Sequence, residues 1–134
     1  MERRRPVRLI LDTHALIWFL AGDPKLSPRA RAEIEVAGRE ALVSAVSALE
    51  LVTKHRLGKL PQADLLARDF EASILGQGFQ ELPIAMRHAE LAGRLAIAHK
   101  DPFDRLLIAQ SLVENLPLVS SERVFDEAGV RRIW

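Results

Sequence analysis

Short runs of consecutive apolar residues alternate along this chain with longer segments whose apolar residues recur at helical spacing. The runs predict strands at residues 7–11, 41–44, 79–82, 116–120 and 130–133. The segments between them predict helices at residues 13–20, 27–36, 46–55, 64–75, 86–98 and 102–114. Strands that alternate with helices in this way indicate an α/β fold, with a central parallel sheet between two helical layers.

Composition narrows the class of protein. The 134 residues are 49% hydrophobic and 28% charged, which predicts one globular domain over residues 1–134. Nineteen basic and eighteen acidic residues give a net charge of only +1, which argues against a dedicated DNA-coating protein and leaves a local basic patch open. Cysteine is absent, which excludes disulfides and thiolate chemistry. The apolar stretches are shorter than a membrane span, and we expect a soluble, cytoplasmic protein with no membrane partner.

Acidic residues follow the predicted strands at one edge of the sheet. Asp12 comes directly after the first strand, and Glu50 lies one turn into the helix that follows the second. Asp101 and Asp104 open the helix at 102–114, and Glu122 comes two residues after the strand at 116–120. Carboxylates that share an edge repel one another unless a cation joins them, and oxygen ligands favour Mg²⁺ or Mn²⁺. The pattern therefore predicts metal-dependent attack on a phosphodiester.

Most of these acids also have a purely structural interpretation. Asp12 and Asp101 stand where helix N-caps are expected, and residues 47–50 fit a capping box. Glu122 can be a favourable charge in the first turn of a following helix. Asp104 is harder to explain structurally, because it lies among apolar residues where an unpaired carboxylate is costly to desolvate. Position alone leaves both interpretations open.

Other polar residues add little. The four histidines have no metal-ligand spacing, and nucleotide-binding and hydrolase glycine motifs are absent from the sequence. Arg3, Arg4 and Arg5 predict a solvated terminus rather than a phosphate contact. Arg105 adjoins Asp104, but neighbouring positions on a helix point in different directions.

Two segments together resemble a known family. DTHALIW at residues 12–18 and HKDPFDRLLIAQ at residues 99–110 resemble PIN-domain ribonucleases, and SAVSALE at residues 44–50 supplies that family's middle acid. Length and motif order resemble the VapC toxins of VapBC toxin–antitoxin pairs. The resemblance covers essentially the whole chain. It implies a three-layer α/β/α sandwich and Mg²⁺- or Mn²⁺-dependent endonucleolytic cleavage of RNA.

The resemblance also assigns roles to residues. Asp12, Glu50 and Asp104 match the family's three central acids, which we expect to be catalytic and to bind metal. Asp101 matches an additional acid of the metal pocket. Glu122 takes the place of the aspartate in the family's Thr-x-Asp step and is one methylene longer. Thr13 could position substrate, and the family implies homodimers inhibited by a small antitoxin.

Three alternatives compete with a toxin. A phosphatase of the haloacid-dehalogenase type requires a second aspartate two residues after the first, where this chain has His14. A non-catalytic PIN-like interaction module normally lacks one or more central acids, whereas this chain retains all three. A housekeeping RNA-processing nuclease has the same residues as a toxin and remains open.

Overall fold

The computed structural model describes residues 8–134, which alternate between strands and helices. The strands are β1 (Leu9–Leu11), β2 (Ala41–Ser44), β3 (Gln80–Leu82), β4 (Leu118–Val119) and β5 (Arg132–Ile133). The helices are α1 (Thr13–Ala21), α2 (Pro28–Ala37), α3 (Ala45–Arg56), α4 (Asp64–Arg68), α5 (Phe70–Gly76), α6 (Met86–Arg94), α7 (Pro102–Glu114) and α8 (Val124–Glu127). The predicted start of the first strand at Val7 and the arginines at 3–5 lie outside the described residues.

Within residues 8–134 the five strands form one parallel sheet in the order β3-β2-β1-β4-β5. Alternate residues of the central strand β1 point to opposite faces. Leu9 and Leu11 pack with residues of α1, α2 and α5 on one face. Ile10 packs with α7, α8 and the first turn of α3 on the other. Both faces are therefore covered, and the predicted α/β/α sandwich is confirmed.

The connection between α7 and β4 determines where α7 begins. Residues 115–117 link the end of α7 directly to β4, which enters the sheet parallel to its neighbours. The helix must therefore run against the strand direction, so that its first residues lie at the carboxyl edge of the sheet. The carboxyl ends of β1, β2 and β4 lie at the same edge, where open parallel sheets form their ligand-binding sites.

Two predicted helices have different bounds in the structure. The helix expected at 64–75 is interrupted at Asp69, whose backbone is not helical (φ −152°, ψ 68°). On either side of the interruption, Leu66 of α4 and Phe70 of α5 both pack against Ile17 and Leu51, and Ile74 of α5 is buried against the sheet. The helix expected at 86–98 ends at Arg94, because backbone carbonyls of the following loop bind the side chain of Arg105.

Between residues 8 and 134, none of the helices combines the length and the apolar character needed to cross a bilayer.

Candidate active site at the carboxyl edge of the sheet

Asp12 connects β1 to α1 and is almost completely buried, with 6% of its surface exposed. Its Oδ1 accepts a hydrogen bond from the Ala15 amide (2.7 Å), so the predicted N-cap is confirmed. Burial raises the pKa of Asp12 to about 7, against hydrogen bonds from Ser120 and Ala15 that lower it. The negative charges of Glu50 and Glu122 raise the pKa further. A carboxyl group with such a pKa lies in a desolvated pocket beside other negative charges.

Glu50 lies in the second turn of α3 and is also buried, with 5% exposed. The capping box expected at residues 47–50 is wrong, because the helix begins earlier: Ser44 is its N-cap and accepts from the Val46 amide (3.0 Å). The carboxylate of Glu50 therefore projects from within the helix. Its Oε1 accepts from the Thr13 hydroxyl (2.6 Å), and its Oε2 accepts from the Lys54 ammonium (2.5 Å).

Thr13 is the first residue of α1, and its buried side chain holds Glu50 of α3 in place. Its Oγ1 lies 3.0 Å from the Ser47 hydroxyl as well as 2.6 Å from Glu50. The single hydroxyl proton of Thr13 goes to the carboxylate, which can only accept, so Ser47 supplies the proton of the other bond. The structure thus gives Thr13 a role in positioning Glu50, and its role in positioning substrate stays a prediction.

Asp101 and Asp104 lie at the start of α7. Oδ1 of Asp101 accepts from the amides of Phe103 (2.8 Å) and Asp104 (3.2 Å), which confirms the predicted cap. Oδ2 of Asp104 lies 2.7 Å from Nε2 of His99. Burial raises the pKa of Asp104 although the His99 hydrogen bond lowers it, and the charges of Asp101 and Glu50 add to the rise.

Glu122 is the most solvent-accessible of the five acids. Its side chain is exposed, and its backbone amide donates to the hydroxyl of the fully buried Ser120 (3.0 Å). Ser120 also hydrogen-bonds Asp12, so one hydroxyl links the ends of β1 and β4. Glu122 precedes α8 rather than lying in its first turn, which carries Asp126 and Glu127 instead.

The five acids share one electrostatic environment in which Glu50 is central. Its charge acts on Asp12 on one side and on Asp104 on the other, while Glu122 acts on Asp12 and Asp101 on Asp104. As placed within residues 8–134, however, the side chains do not form a group of three or more ligands ready to hold an ion. A cluster of carboxylate oxygens still fits Mg²⁺, which commonly uses one or two carboxylates and keeps several waters.

Comparison with known proteins identifies the family. The PIN domain model matches residues 9–130, which is most of the chain and includes all five acids. This chain belongs to the PIN domain family. No curated protein is a significant match to the sequence of this PIN domain.

Solved structures share the fold of this PIN domain at low sequence identity. FitAcB from Neisseria gonorrhoeae matches with a TM-score of 0.68 and 23% identity, over 92% of this chain and 95% of that one. DNA-bound VapBC from Salmonella typhimurium has a TM-score of 0.68 and 15% identity, over 94% and 96%. A toxin–antitoxin complex from Klebsiella pneumoniae has a TM-score of 0.56 and 15% identity, over 86% and 87%.

Three residues of the site escaped sequence reasoning. Lys54 was detectable in principle, because Glu50 and Lys54 have the i,i+4 spacing of a helical ion pair. His99 and Ser120 reach Asp104 and Asp12 through loop geometry, and no spacing rule predicts such contacts. The lack of metal-ligand spacing among the histidines agrees with the positions of His55 and His88, which pair with Asp64 and Glu114 away from the five acids.

Partial burial would by itself lower the pKa of Lys54. The hydrogen bond to Glu50 and the negative charges nearby outweigh that effect and raise the pKa above its ordinary value. The charges that act on Lys54 are those of Glu50, Asp101 and Asp104. Lys54 is therefore an ammonium ion within the acidic cluster.

Arg105 holds the loop that carries His99. Its guanidinium donates to the carbonyls of Ala92 (2.9 Å), Leu95 (2.7 Å), Ile97 (3.3 Å) and His99 (2.9 Å). The side chain thus points away from the carboxylates, as its helical position predicts. Arg105 therefore positions the site by binding the backbone of the loop, and its charge does not act directly on the carboxylates.

Replacing Arg105 with Met should destabilise the protein by roughly 3 kcal/mol, because several charge-assisted hydrogen bonds to backbone carbonyls are lost together. Amide exchange should accelerate most in residues 95–101. The control is Arg94→Met, which removes only an exposed pair with Glu90 and should cost less than about 0.5 kcal/mol. Equal unfolding free energies for the two variants in urea would contradict the assignment.

Replacing Asp12 with Asn should stabilise the metal-free protein more at pH 8 than at pH 5. The pKa of Asp12 is about 7 in the folded state, against the ordinary value of 3.8 that applies to the unfolded chain. Between these two pH values, only the folded state holds the proton. The contribution of Asp12 to wild-type stability therefore falls as pH rises from about 4 to about 7 and then levels off. Asparagine keeps the cap but cannot ionise.

Urea titrations with EDTA measure this effect. The gain from Asp12→Asn should grow by roughly 2–3 kcal/mol between pH 5 and pH 8. Asp23→Asn is the control, since Asp23 accepts from the Lys25 amide away from the site. A gain that does not change with pH would show that Asp12 is ionised throughout.

Proposed function

We propose that this PIN domain is a metal-dependent endoribonuclease that hydrolyses phosphodiester bonds of RNA. The observation that carries the proposal is the convergence of buried carboxylates at the sheet edge, where Asp12 has a pKa near 7. Carboxylates in such surroundings are stabilised by a bound cation. Membership of the PIN domain family supports nuclease chemistry at this edge.

Mg²⁺ or Mn²⁺ is the cofactor that this donor set favours, since hard oxygen ligands select these ions. Asp12, Glu50 and Asp104 would hold the ion, with Asp101 and Glu122 adding negative charge around it. When bound, the ion would polarise the phosphoryl oxygen and provide an activated water.

The chain itself supplies orientation. Asp12 and Asp101 are fixed by their own helix caps, which leaves the direction of each carboxylate defined before a ligand arrives. Thr13 and Ser47 fix Glu50 from the buried side. Because an acidic pocket repels phosphate, backbone amides and nearby lysine or arginine side chains must attract the RNA.

Purified protein should cleave single-stranded RNA with Mg²⁺ or Mn²⁺, stop with EDTA, and leave 5′-phosphate and 3′-hydroxyl ends. Asp12→Asn and Asp104→Asn should each lower the rate at least about a hundredfold, because each removes a ligand charge. Glu122→Gln should lower it less, since its side chain is exposed.

The matched control for these rates is Glu35→Gln, an exposed acid on α2, which should cleave as the wild type does. Circular dichroism should be unchanged in every variant. Full activity of Asp12→Asn or Asp104→Asn would refute the catalytic assignment.

We further propose that the protein is the cytoplasmic toxin of a toxin–antitoxin pair, held inactive by a small antitoxin. The Klebsiella pneumoniae neighbour is itself a toxin–antitoxin complex. A groove between α1 and α4 has Ile17, Trp18, Leu65 and Leu66 in its walls together with charged and polar side chains, and offers an amphipathic surface for a partner segment. We also propose that the protein forms the homodimer implied by the resemblance, through the apolar patch of Leu49 and Val52, which are exposed on one face of α3.

Expression of the chain should arrest bacterial growth, and co-expression of a small protein encoded beside it should restore growth. Asp104→Asn should be harmless because it removes nuclease activity and leaves the partner groove intact. Colony counts after induction measure both effects. Harmless wild-type protein that still cleaves RNA in vitro would favour the alternative of a housekeeping RNA-processing nuclease.

A further inference from the structure

Glu50 has both carboxylate oxygens engaged within the protein. Oε1 accepts from Thr13 and Oε2 from Lys54. Each oxygen keeps a second acceptor site, but a divalent ion bound to Glu50 would lie close to the Lys54 ammonium and compete with it for the same negative charge. This engagement of Glu50 agrees with the lack of a ready-made ligand group in the described part of the chain.

The two bonds differ in how easily they break. Thr13 is only 2% exposed and is backed by the buried hydroxyl of Ser47. Breaking its bond would strand a polar group in the interior. The side chain of Lys54 is 29% exposed and ends a flexible four-carbon stem, so its ammonium can leave Glu50 and stay solvated. Lys54 is therefore the partner that gives way.

The position of Lys54 also limits where its ammonium can go. The side chain lies within the field of Glu50, Asp101 and Asp104, which holds a cation near the carboxylates. An RNA phosphate brought to the same carboxylates must be offset by positive charge close by. Once the Lys54 ammonium is displaced from Glu50, its flexible side chain lets it reach that phosphate.

We propose that Lys54 is a working residue of the site, which neutralises Glu50 while no divalent ion is bound and contacts a non-bridging oxygen of the scissile phosphate once displaced. This inference rests on the proposed nuclease function. A structural ion pair would instead remain in place throughout, and its loss would weaken folding, metal binding and cleavage together.

The test compares Lys54→Met with Lys54→Arg, which keeps the charge. Lys59→Met is the matched control, since Lys59 lies just beyond α3 with its side chain exposed. Mn²⁺ is titrated into each protein without RNA, and binding is followed by the free-Mn²⁺ electron paramagnetic resonance signal. Lys54→Met should bind Mn²⁺ roughly tenfold more tightly than wild type, because a competing charge is removed. Lys54→Arg and Lys59→Met should stay near the wild-type affinity.

RNA cleavage is then measured at saturating Mn²⁺. Lys54→Met should cleave at least about tenfold more slowly than wild type despite its tighter metal binding, and Lys54→Arg should recover most of the rate. Unchanged or weaker Mn²⁺ binding by Lys54→Met, or wild-type cleavage by it, overturns the proposal. Wild-type protein that binds Mn²⁺ but cleaves no RNA refutes the nuclease function instead, and the binding titration still decides whether Lys54 competes with the ion.

Discussion

Carboxylates gathered at one edge of a parallel sheet repel one another, and the local structure around them is arranged to offset that repulsion. Burial, with a further contribution from the charges of Glu50 and Glu122, raises the pKa of Asp12 to about 7, so that this carboxyl group holds its proton up to that pH. Glu50 stays close to the Lys54 ammonium, and Asp104 to the ring of His99. The sheet itself imposes the crowding, because the carboxyl ends of the parallel strands and the first residues of α7 lie at the same edge.

The structural and functional interpretations of the acids turn out to be compatible. Asp12 and Asp101 cap α1 and α7, and in both residues the cap bonds use Oδ1. A carboxylate has two oxygens and about four acceptor sites, so a cap leaves capacity for a metal ion or its waters. A helix cap even favours the metal interpretation, since it fixes the carboxylate's direction at no further entropic cost.

The sequence predicts the fold and the position of the acids better than it predicts their surroundings. Apolar runs and helical spacing locate the strands, and parallel topology then places Asp12, Glu50 and Asp104 at one edge without further information. No glycine or proline marks the break at Asp69, so no local signal in the sequence predicts it. Likewise, the loop at 95–101 depends on Arg105, whose carbonyl partners lie six to thirteen residues away. Contacts of this kind arise only from the assembled tertiary structure.

The groups that hold the acids fall into two physical classes. Thr13, Ser47, Ser120 and the cap amides are neutral and buried, so they define where each carboxylate points and are costly to disturb. Lys54 and His99 are about one-third exposed, so each can move away from its carboxylate and remain solvated itself. The buried neutral groups thus set the direction of each carboxylate, and the partly exposed side chains balance its charge. Because the two are separate, the positive charge beside the carboxylates can be exchanged while the scaffold that aims them stays folded.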